Sequence, residues 1–232
     1  NYSLKQAYLS VMESTGGLDR QELFIPLKNK NYFIGDESFT KREIVDGQTK
    51  ARVNLKEYDK NKAMMMISKS ENIFPDTQNL GSYDRGVEDF PGIDTDSPVK
   101  LYQIVLSRLN PSRSIIEWSR DSVTETLGKL SHSDLDYANT LSAVFRSKNI
   151  PVHIVYGLAR YPDGKFYWHF WNVFQERDGQ KLVWREVDPY LEDLTGDQYF
   201  QNLPPTRIIW GVLETESDLS DLGTDLFYIK LE

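Results

Sequence analysis

Two neighbouring segments rich in aromatic and aliphatic residues, joined by a tight turn signal, constrain the fold of this chain most. Residues 166–174 and 182–188 each have the composition of a β-strand. Between them, Asp178-Gly179 is a strong signal for a two-residue hairpin turn. Counting equally along both strands from that turn places His169 opposite Asp188, with Cβ atoms roughly 4.5–5.5 Å apart. An aspartate at that distance can orient an imidazole and favour its charged form.

This pairing depends on the register of the hairpin. A bulge at the turn would shift the register by one residue and move His169 to the other face of the sheet. Cross-strand pairs of histidine and aspartate also occur on ordinary sheet surfaces, so the pair alone does not define a functional site. The segment upstream of the hairpin adds the next constraint.

A helix is predicted over residues 133–146. Five of its residues lie on one helical face: Leu135, Ala138, Leu141, Ser142 and Phe145. Ser133 or Asp134 is a suitable N-cap. Lys148-Asn149 is expected to end the helix before Ile150-Pro151, and residues 152–157 are expected to form a buried strand.

In combination, these segments resemble the transglutaminase-like core, a papain-like fold in which a cysteine carries out acyl transfer. Its motifs are Cys-x-acidic-aromatic-Ala at a helix start, then an Arg, Ile-Pro, a strand closing in Gly, His-x-Trp and Asp-Pro. The matching residues here are Asp136-Tyr137-Ala138, Arg146, Ile150-Pro151, Tyr156-Gly157-Leu158, His169-Phe170-Trp171 and Asp188-Pro189, with Thr124–Leu127 as the lead-in. The resemblance covers about residues 98–190. It implies an α+β fold with helices packed on an antiparallel sheet.

The chain departs from the family at the nucleophile. The family cysteine falls at Asp134, so the resemblance implies an Asp-His-Asp set of Asp134, His169 and Asp188 at the triad positions. A carboxylate that attacked an amide would form a mixed anhydride and depart more easily than the amine. Loss of such a nucleophile typically costs on the order of 10⁶ in turnover. Ser133 lies one residue out of register, about 100° away on a helix, so a serine is not expected to replace the thiol.

Aromatic residues concentrate near the predicted site. Trp171, Tyr156 and Tyr190 are the candidate binding residues of a ligand groove, because aromatic side chains dominate recognition surfaces. His132 is expected in a solvated loop and His153 at an edge or surface position of a strand.

The composition narrows the function classes. The 232 residues are 39% hydrophobic, which suffices for substantial cores, and the net charge of −8 argues against binding to nucleic acid. The chain has no cysteine, which excludes disulfides and thiol chemistry, and its longest apolar run is too short for a transmembrane segment. No cofactor is expected, whereas a protein or peptide ligand is compatible with the groove. By analogy with bacterial relatives of the family, an extracytoplasmic location is expected.

The pattern along the chain predicts two regions. Residues 1–95 form an N-terminal β-rich region and a connecting loop, and residues 96–232 form the transglutaminase-like core. Asp46-Gly47 marks a second hairpin, and the start at Asn1 favours a mature protein or an excised domain. The predicted N-terminal elements are a helix at 4–13 and strands at 22–26, 31–34, 41–45, 51–55 and 63–68. Those of the core, besides the hairpin region, are helices at 98–109 and 112–130, a short helix or turn at 190–194, and strands at 207–213 and 226–231.

Three functions fit these observations. The leading hypothesis is a catalytically degenerate transglutaminase-like domain that binds or scaffolds. A second is a divalent-metal site formed by Asp134, His169 and Asp188, because sets of carboxylate and histidine suit such metals. A third is a hydrolase that uses the same groups for acid–base catalysis.

Overall fold

The computed structural model describes residues 22–26, 40–45, 48–54, 64, 84–112, 121–161, 166–200 and 207–213. The predicted helix at 4–13 and the predicted strands at 31–34 and 226–231 lie outside these residues. Of the predicted strand at 63–68 the structure describes Met64, which is helical and not extended, so the strand prediction is wrong at that residue. The chain divides into two compact units, one of residues 1–70, 156–168 and 206–232, the other of residues 71–155 and 169–205. The predicted domain boundary between residues 95 and 96 stays a prediction.

The N-terminal region contains a three-stranded antiparallel sheet. Its strands are β1 (Glu22–Pro26), β2 (Thr40–Val45) and β3 (Gln48–Asn54), in the order β1-β3-β2. Val45 pairs with Gln48, which leaves Asp46-Gly47 between the two strands, where the sequence predicts a hairpin turn.

Two helices follow in the core. Helix α1 (Pro98–Leu106) begins with proline in its first turn, a position where the missing N–H costs nothing, and it ends three residues earlier than predicted. The predicted helix at 112–130 is wrong at both described ends, because only α2 (Val123–Leu127) is helical there. Ser122 and Glu125 form a capping box that starts α2 anew, and Gly128 ends it.

Helix α3 (Asp134–Ser147) is the centre of the core and contacts α1 and α2. Ser133 is its N-cap, as predicted, and forms a capping box with Asp136. Lys148 is the C-cap, and Asn149 follows with a positive φ of 56°, a conformation that asparagine tolerates better than most residues. The prediction of one apolar face is too narrow, since every residue from Asp134 to Phe145 is buried.

The second sheet has the strand order β6-β5-β4-β7. Its strands are β4 (Val152–Arg160), β5 (Phe166–Asp178), β6 (Lys181–Val187) and β7 (Arg207–Leu213), as the sequence analysis expected within a few residues. Helix α4 (Pro189–Thr195) comes directly after β6 and contacts α1 and α3. Among the described residues, no helix combines the length and the apolar character that a membrane crossing requires.

The hairpin of β5 and β6 forms in a different register from the predicted one. Asp178 pairs with Lys181, so the turn is Gly179-Gln180, and Gly179 has a φ of 62° at the first central position, where a type II′ turn favours glycine. The register is displaced by two residues, so His169 and Asp188 are not directly opposed. A displacement by two preserves the face on which a side chain lies, whereas a displacement by one would not.

Candidate functional site

The start of helix α3 positions the first predicted site residue. Asp134 is the first helical residue, and the Asp134 Oδ1 atom accepts the backbone N–H of Leu135 at 3.1 Å. The preceding Ser133 donates its backbone N–H and its hydroxyl to Asp136 Oδ2, at 2.8 and 3.0 Å. Because the capping box fixes this turn, it also fixes the direction of the Asp134 carboxylate.

Strand β5 brings His169 to that carboxylate. The distance from His169 Nδ1 to Asp134 Oδ2 is 2.8 Å, and the neighbouring backbone N–H of Phe170 also donates to Asp134 Oδ2, at 3.3 Å. On the other side of the ring, His169 Nε2 lies 2.7 Å from Asp188 Oδ2. The structure therefore brings together all three residues that the sequence predicted for the triad positions.

Asp188 reaches His169 from the start of helix α4. It is the N-cap of that helix, and the Asp188 Oδ1 atom accepts the backbone N–H of Leu191 at 3.0 Å. Strand pairing with β5 ends before Asp188, at Val187. The contact with His169 was expected from direct cross-strand pairing, but it is made by the capping carboxylate of the next helix.

The three side chains are buried, with at most 1% of each exposed. Burial alone would lower the pKa of His169, and this is the largest single effect on it. The charge of Asp188, the hydrogen bonds from the ring to both carboxylates and the charge of Asp134 together outweigh it, so the pKa of His169 is raised above its usual 6.5. With a carboxylate at each ring nitrogen, the imidazolium is the form that can donate to both.

Two predicted binding residues pack around the imidazole. The Trp171 ring is stacked with that of His169 at a centroid distance of 6.0 Å, and the Tyr190 ring lies at 5.8 Å. Trp171 Nε1 donates to Glu186 at 3.1 Å, and the Tyr190 hydroxyl donates to the carbonyl of Ser112 at 2.7 Å.

Tyr156, the third predicted binding residue, is buried in β4 within the segment that belongs to the other compact unit. The predicted binding roles of Trp171, Tyr156 and Tyr190 stay predictions.

The other two histidines are buried, which corrects both expectations of exposure. The ring of His132 accepts the backbone N–H of Asn110 at Nδ1, at 2.9 Å, and its Nε2 lies 2.9 Å from the carbonyl oxygen of Thr126. It thereby ties residues 110 and 126 together just before α3. His153 is 3% exposed and lies beside the ring of Trp184, with a centroid distance of 5.2 Å. Burial, and to a smaller extent the charge of Arg146, lower its pKa to about 4.

Sequence reasoning missed the residues that hold the site in place. Asn172 Nδ2 donates to the Ala138 carbonyl at 3.0 Å and to Ser142 Oγ at 2.9 Å, which joins β5 to α3. Lys129 bridges Asp121 at 2.5 Å and Asp136 at 2.7 Å. A polar Asn172 inside an otherwise aromatic strand was the available signal for the first of these links.

Comparison with known proteins supports the family resemblance over part of the chain. The family model of the transglutaminase-like superfamily matches residues 84–189. No curated protein matches the chain. A candidate cysteine protease from Cytophaga hutchinsonii has a similar structure, with 12% identity, a TM-score of 0.39, and coverage of 74% of this chain and 58% of that one.

The periplasmic domain of TgpA from Pseudomonas aeruginosa is also similar, at 16% identity and a TM-score of 0.39, with coverage of 76% of this chain and 69% of that one. The chain spans 58% of the length of the Cytophaga hutchinsonii protein, which is less than two thirds. The resemblance expected from the sequence is confirmed over residues 84–189, where the family model matches, and the observed helices and antiparallel strands agree with the expected α+β fold class.

Proposed function

We propose that this transglutaminase-like domain does not catalyse acyl transfer and acts as a binding or scaffolding module. The observation that carries the proposal is the carboxylate of Asp134, which by the sequence resemblance falls at the family's cysteine position and which lies 2.8 Å from His169 Nδ1. The thiolate–imidazolium pair of an active enzyme is a nucleophile held beside its base. Here a carboxylate takes the place of the thiolate. Its acyl product would be an anhydride, from which the carboxylate departs and re-forms the amide faster than the amine is released.

The state of His169 also argues against catalysis. A general base needs an unprotonated ring nitrogen that faces its substrate. Both ring nitrogens of His169 are engaged by carboxylates, at 2.8 and 2.7 Å, and the ring is fully buried. An imidazolium held in this way has no lone pair to offer to an incoming molecule.

Neighbouring hydroxyls do not supply a substitute nucleophile. Ser133 Oγ accepts the backbone N–H of Asp136 at 3.1 Å and donates to the Asp136 carboxylate, so the capping box occupies it. Ser131 is exposed in the loop before the helix. This agrees with the expectation that a serine does not rescue the reaction.

The geometry favours the binding module over the two alternatives. A metal site needs several donor atoms that converge on one point, whereas Asp134 and Asp188 lie at opposite ring nitrogens of His169. Within the part of the chain that the structure describes, no three acidic, histidine or cysteine side chains are arranged to hold a metal ion. The acid–base hydrolase meets the same obstacle as acyl transfer, since it needs a titrating group that reaches a substrate.

The decisive experiment compares the protein with its Asp134→Cys variant in assays of amine incorporation and peptide cleavage. We expect no turnover from the unchanged protein, because it has no thiolate. Asp134→Cys should gain a thiol that His169 activates. The measurement is the rate of alkylation by iodoacetamide, which should exceed the rate for free cysteine. Asp134→Ser serves as the matched control and should remain inactive. Robust transamidation by the unchanged protein would refute the proposal.

The binding role and the location need their own tests. A peptide library presented to the folded protein, with Trp171→Phe as the comparison, would show whether the predicted aromatic residues contribute to a ligand site. Failure of every peptide and protein probe to bind would argue for a purely structural domain. The extracytoplasmic location is tested by fractionation of the host cell, and recovery in the cytoplasmic fraction would contradict it.

A further inference from the structure

We propose that His169 is a proton-dependent clamp that holds the start of helix α4 against strand β5. The inference deepens the proposed function and rests on it, because a histidine that exchanged protons with a substrate could not serve as a permanent clamp. It adds a mode of regulation to the same site: the docking of helix α4 depends on pH.

The contacts of Asp188 make the clamp. One oxygen of this carboxylate lies 2.7 Å from His169 Nε2, and the other accepts the Leu191 N–H at 3.0 Å, inside the first turn of α4. A single side chain therefore joins the ring on β5 to the helix. Asp134 holds the opposite ring nitrogen at 2.8 Å.

Both bonds require the protonated ring. A neutral imidazole carries one N–H, whereas the imidazolium carries two. Loss of the proton would leave a nitrogen lone pair facing a carboxylate oxygen at less than 3 Å, in a position that water does not reach. The charge that balances the two carboxylates would disappear at the same moment, so repulsion between them would add to the loss of the hydrogen bond.

Helix α4 is the element that should respond. It has only seven residues, and helices this short do not hold together in water without tertiary contacts. Its other contacts include hydrogen bonds from Tyr190 to the Ser112 carbonyl, at 2.7 Å, from Tyr102 to Glu192, at 2.8 Å, and from Tyr137 to Asp193. Helix α3 has fourteen residues and is buried along most of its length, so its middle should be insensitive to the clamp.

Other groups near the ring do not account for a change at neutral or alkaline pH. His169 faces Asp134 from α3, Asp188 and Tyr190 from α4, and Trp171 from its own strand, with Glu186 of β6 bonded to Trp171. Burial and the two carboxylates raise the pKa of Tyr190, and burial and Asp193 raise that of Tyr137. Both tyrosines therefore stay neutral while His169 titrates.

The sign of the effect follows from the raised pKa of His169. Its contribution is fully present below the unfolded value of about 6.5 and is lost as pH rises through the folded value. Within that window the equilibrium constant changes by up to about tenfold per pH unit.

The test measures hydrogen-exchange protection factors of the full chain between pH 5 and pH 10. Protection factors divide out the intrinsic effect of pH on exchange. We expect the α4 amides to hold a constant protection up to about pH 6.5 and then to lose roughly 10- to 100-fold, the worth of a charge-assisted hydrogen bond. Amides in the middle of α3, such as Leu141, should keep theirs. The ¹⁵N shifts of the His169 ring should show the midpoint of deprotonation at the pH where the loss of α4 protection levels off.

Asp188→Asn is the matched variant, because asparagine is an equally good N-cap but carries no charge. It should move the loss of α4 protection to lower pH. Glu192→Gln changes a charge in the same helix without touching His169, and it should leave the pH dependence in place. If Asp188→Asn does not fold, the unchanged protein still decides the question through its ring shifts and amides.

Constant α4 protection while the ring deprotonates would overturn the clamp, and so would a parallel loss across α3. Either result would leave the proposed lack of catalysis untouched. Conversely, transamidation by the unchanged protein would refute the proposed function even if α4 protection followed the titration.

Discussion

The side chains at the centre of this core are polar groups whose burial costs free energy unless each one has hydrogen-bond partners. The ring of His169 lies between the side chains of Asp134 and Asp188, and at most 1% of each side chain is exposed to solvent. Backbone N–H groups of Leu135, Phe170 and Leu191 supply the carboxylates with further hydrogen bonds. Buried charges persist only when such partners are present, so removal of any one member should be costly.

Asp134→Asn tests this at the level of one residue. The amide keeps the size of the side chain and an acceptor for the ring but removes one charge that sustains the imidazolium. We expect the free energy of unfolding in urea at pH 6 to fall by about 1.5–3 kcal/mol, the worth of a hydrogen bond to a charged group. The same variant should lower the pKa of His169 in an NMR titration.

The exposed Asp197→Asn is the control for Asp134→Asn and should change stability by less than about 0.5 kcal/mol. An Asp134→Asn protein as stable as the unchanged one would show that the Asp134 charge contributes nothing.

At the level of elements, helix starts determine the geometry of the site. Both α2 and α3 begin with a serine whose capping box fixes the first turn, and α4 begins with the capping carboxylate of Asp188. Both carboxylates beside the imidazole thus lie at helix N-termini, where the partial positive charge of the helix favours a carboxylate. The helix dipole and the histidine stabilise the same negative groups.

Ser133→Ala should therefore act on stability and on the site together. Loss of the cap is expected to reduce the free energy of unfolding by about 1 kcal/mol, within a range of about 0.5–2 kcal/mol. The control is Ser147→Ala at the other end of α3, where the hydroxyl donates to the Val144 carbonyl at 2.7 Å. Urea denaturation would measure the free energy of unfolding of both variants. An equal decrease in the two would contradict a specific role for the Ser133 cap.

Local signals predicted the elements well, and tertiary packing explains most of what they missed. The bounds of β1 and β7 and both ends of α3 follow from turn, cap and breaker residues. The hairpin register did not follow, because Gly179 took the first turn position and not the second. His169 and Asp188 still meet despite the two-residue displacement, because Asp188 reaches the ring as the N-cap of α4. The burial of His132 and His153 could not be predicted, since it depends on what packs against them.

At the scale of the whole molecule, two buried histidines should limit stability from opposite sides of the pH range. His169 contributes stability that is lost as pH rises through its raised pKa. His153 has its pKa lowered to about 4, so its buried neutral form contributes stability that is present above the unfolded value of about 6.5 and is lost as pH falls through the folded value. The maximum of stability should therefore lie near neutral pH.

His153→Phe tests the acidic side of this profile. The variant keeps an aromatic ring against Trp184 but removes the titrating group. The unchanged protein should lose on the order of 3 kcal/mol between about pH 6.5 and pH 4 through this histidine. His153→Phe should lose less over the same range in urea denaturation, with its alkaline side unaltered. An identical acidic side in both proteins would assign the loss to other groups.

The long reach of the hydrogen bonds to helix α4 bears on how the chain acquires this core during synthesis. Tyr102 bonds to a partner 90 residues later, and Ser112 accepts from Tyr190, 78 residues later. At about 5–20 residues per second, a ribosome would take several seconds to deliver these partners. Helix α3 emerges in the meantime with its buried sides uncovered, so the nascent chain should depend on chaperones until residues 188–193 leave the exit tunnel.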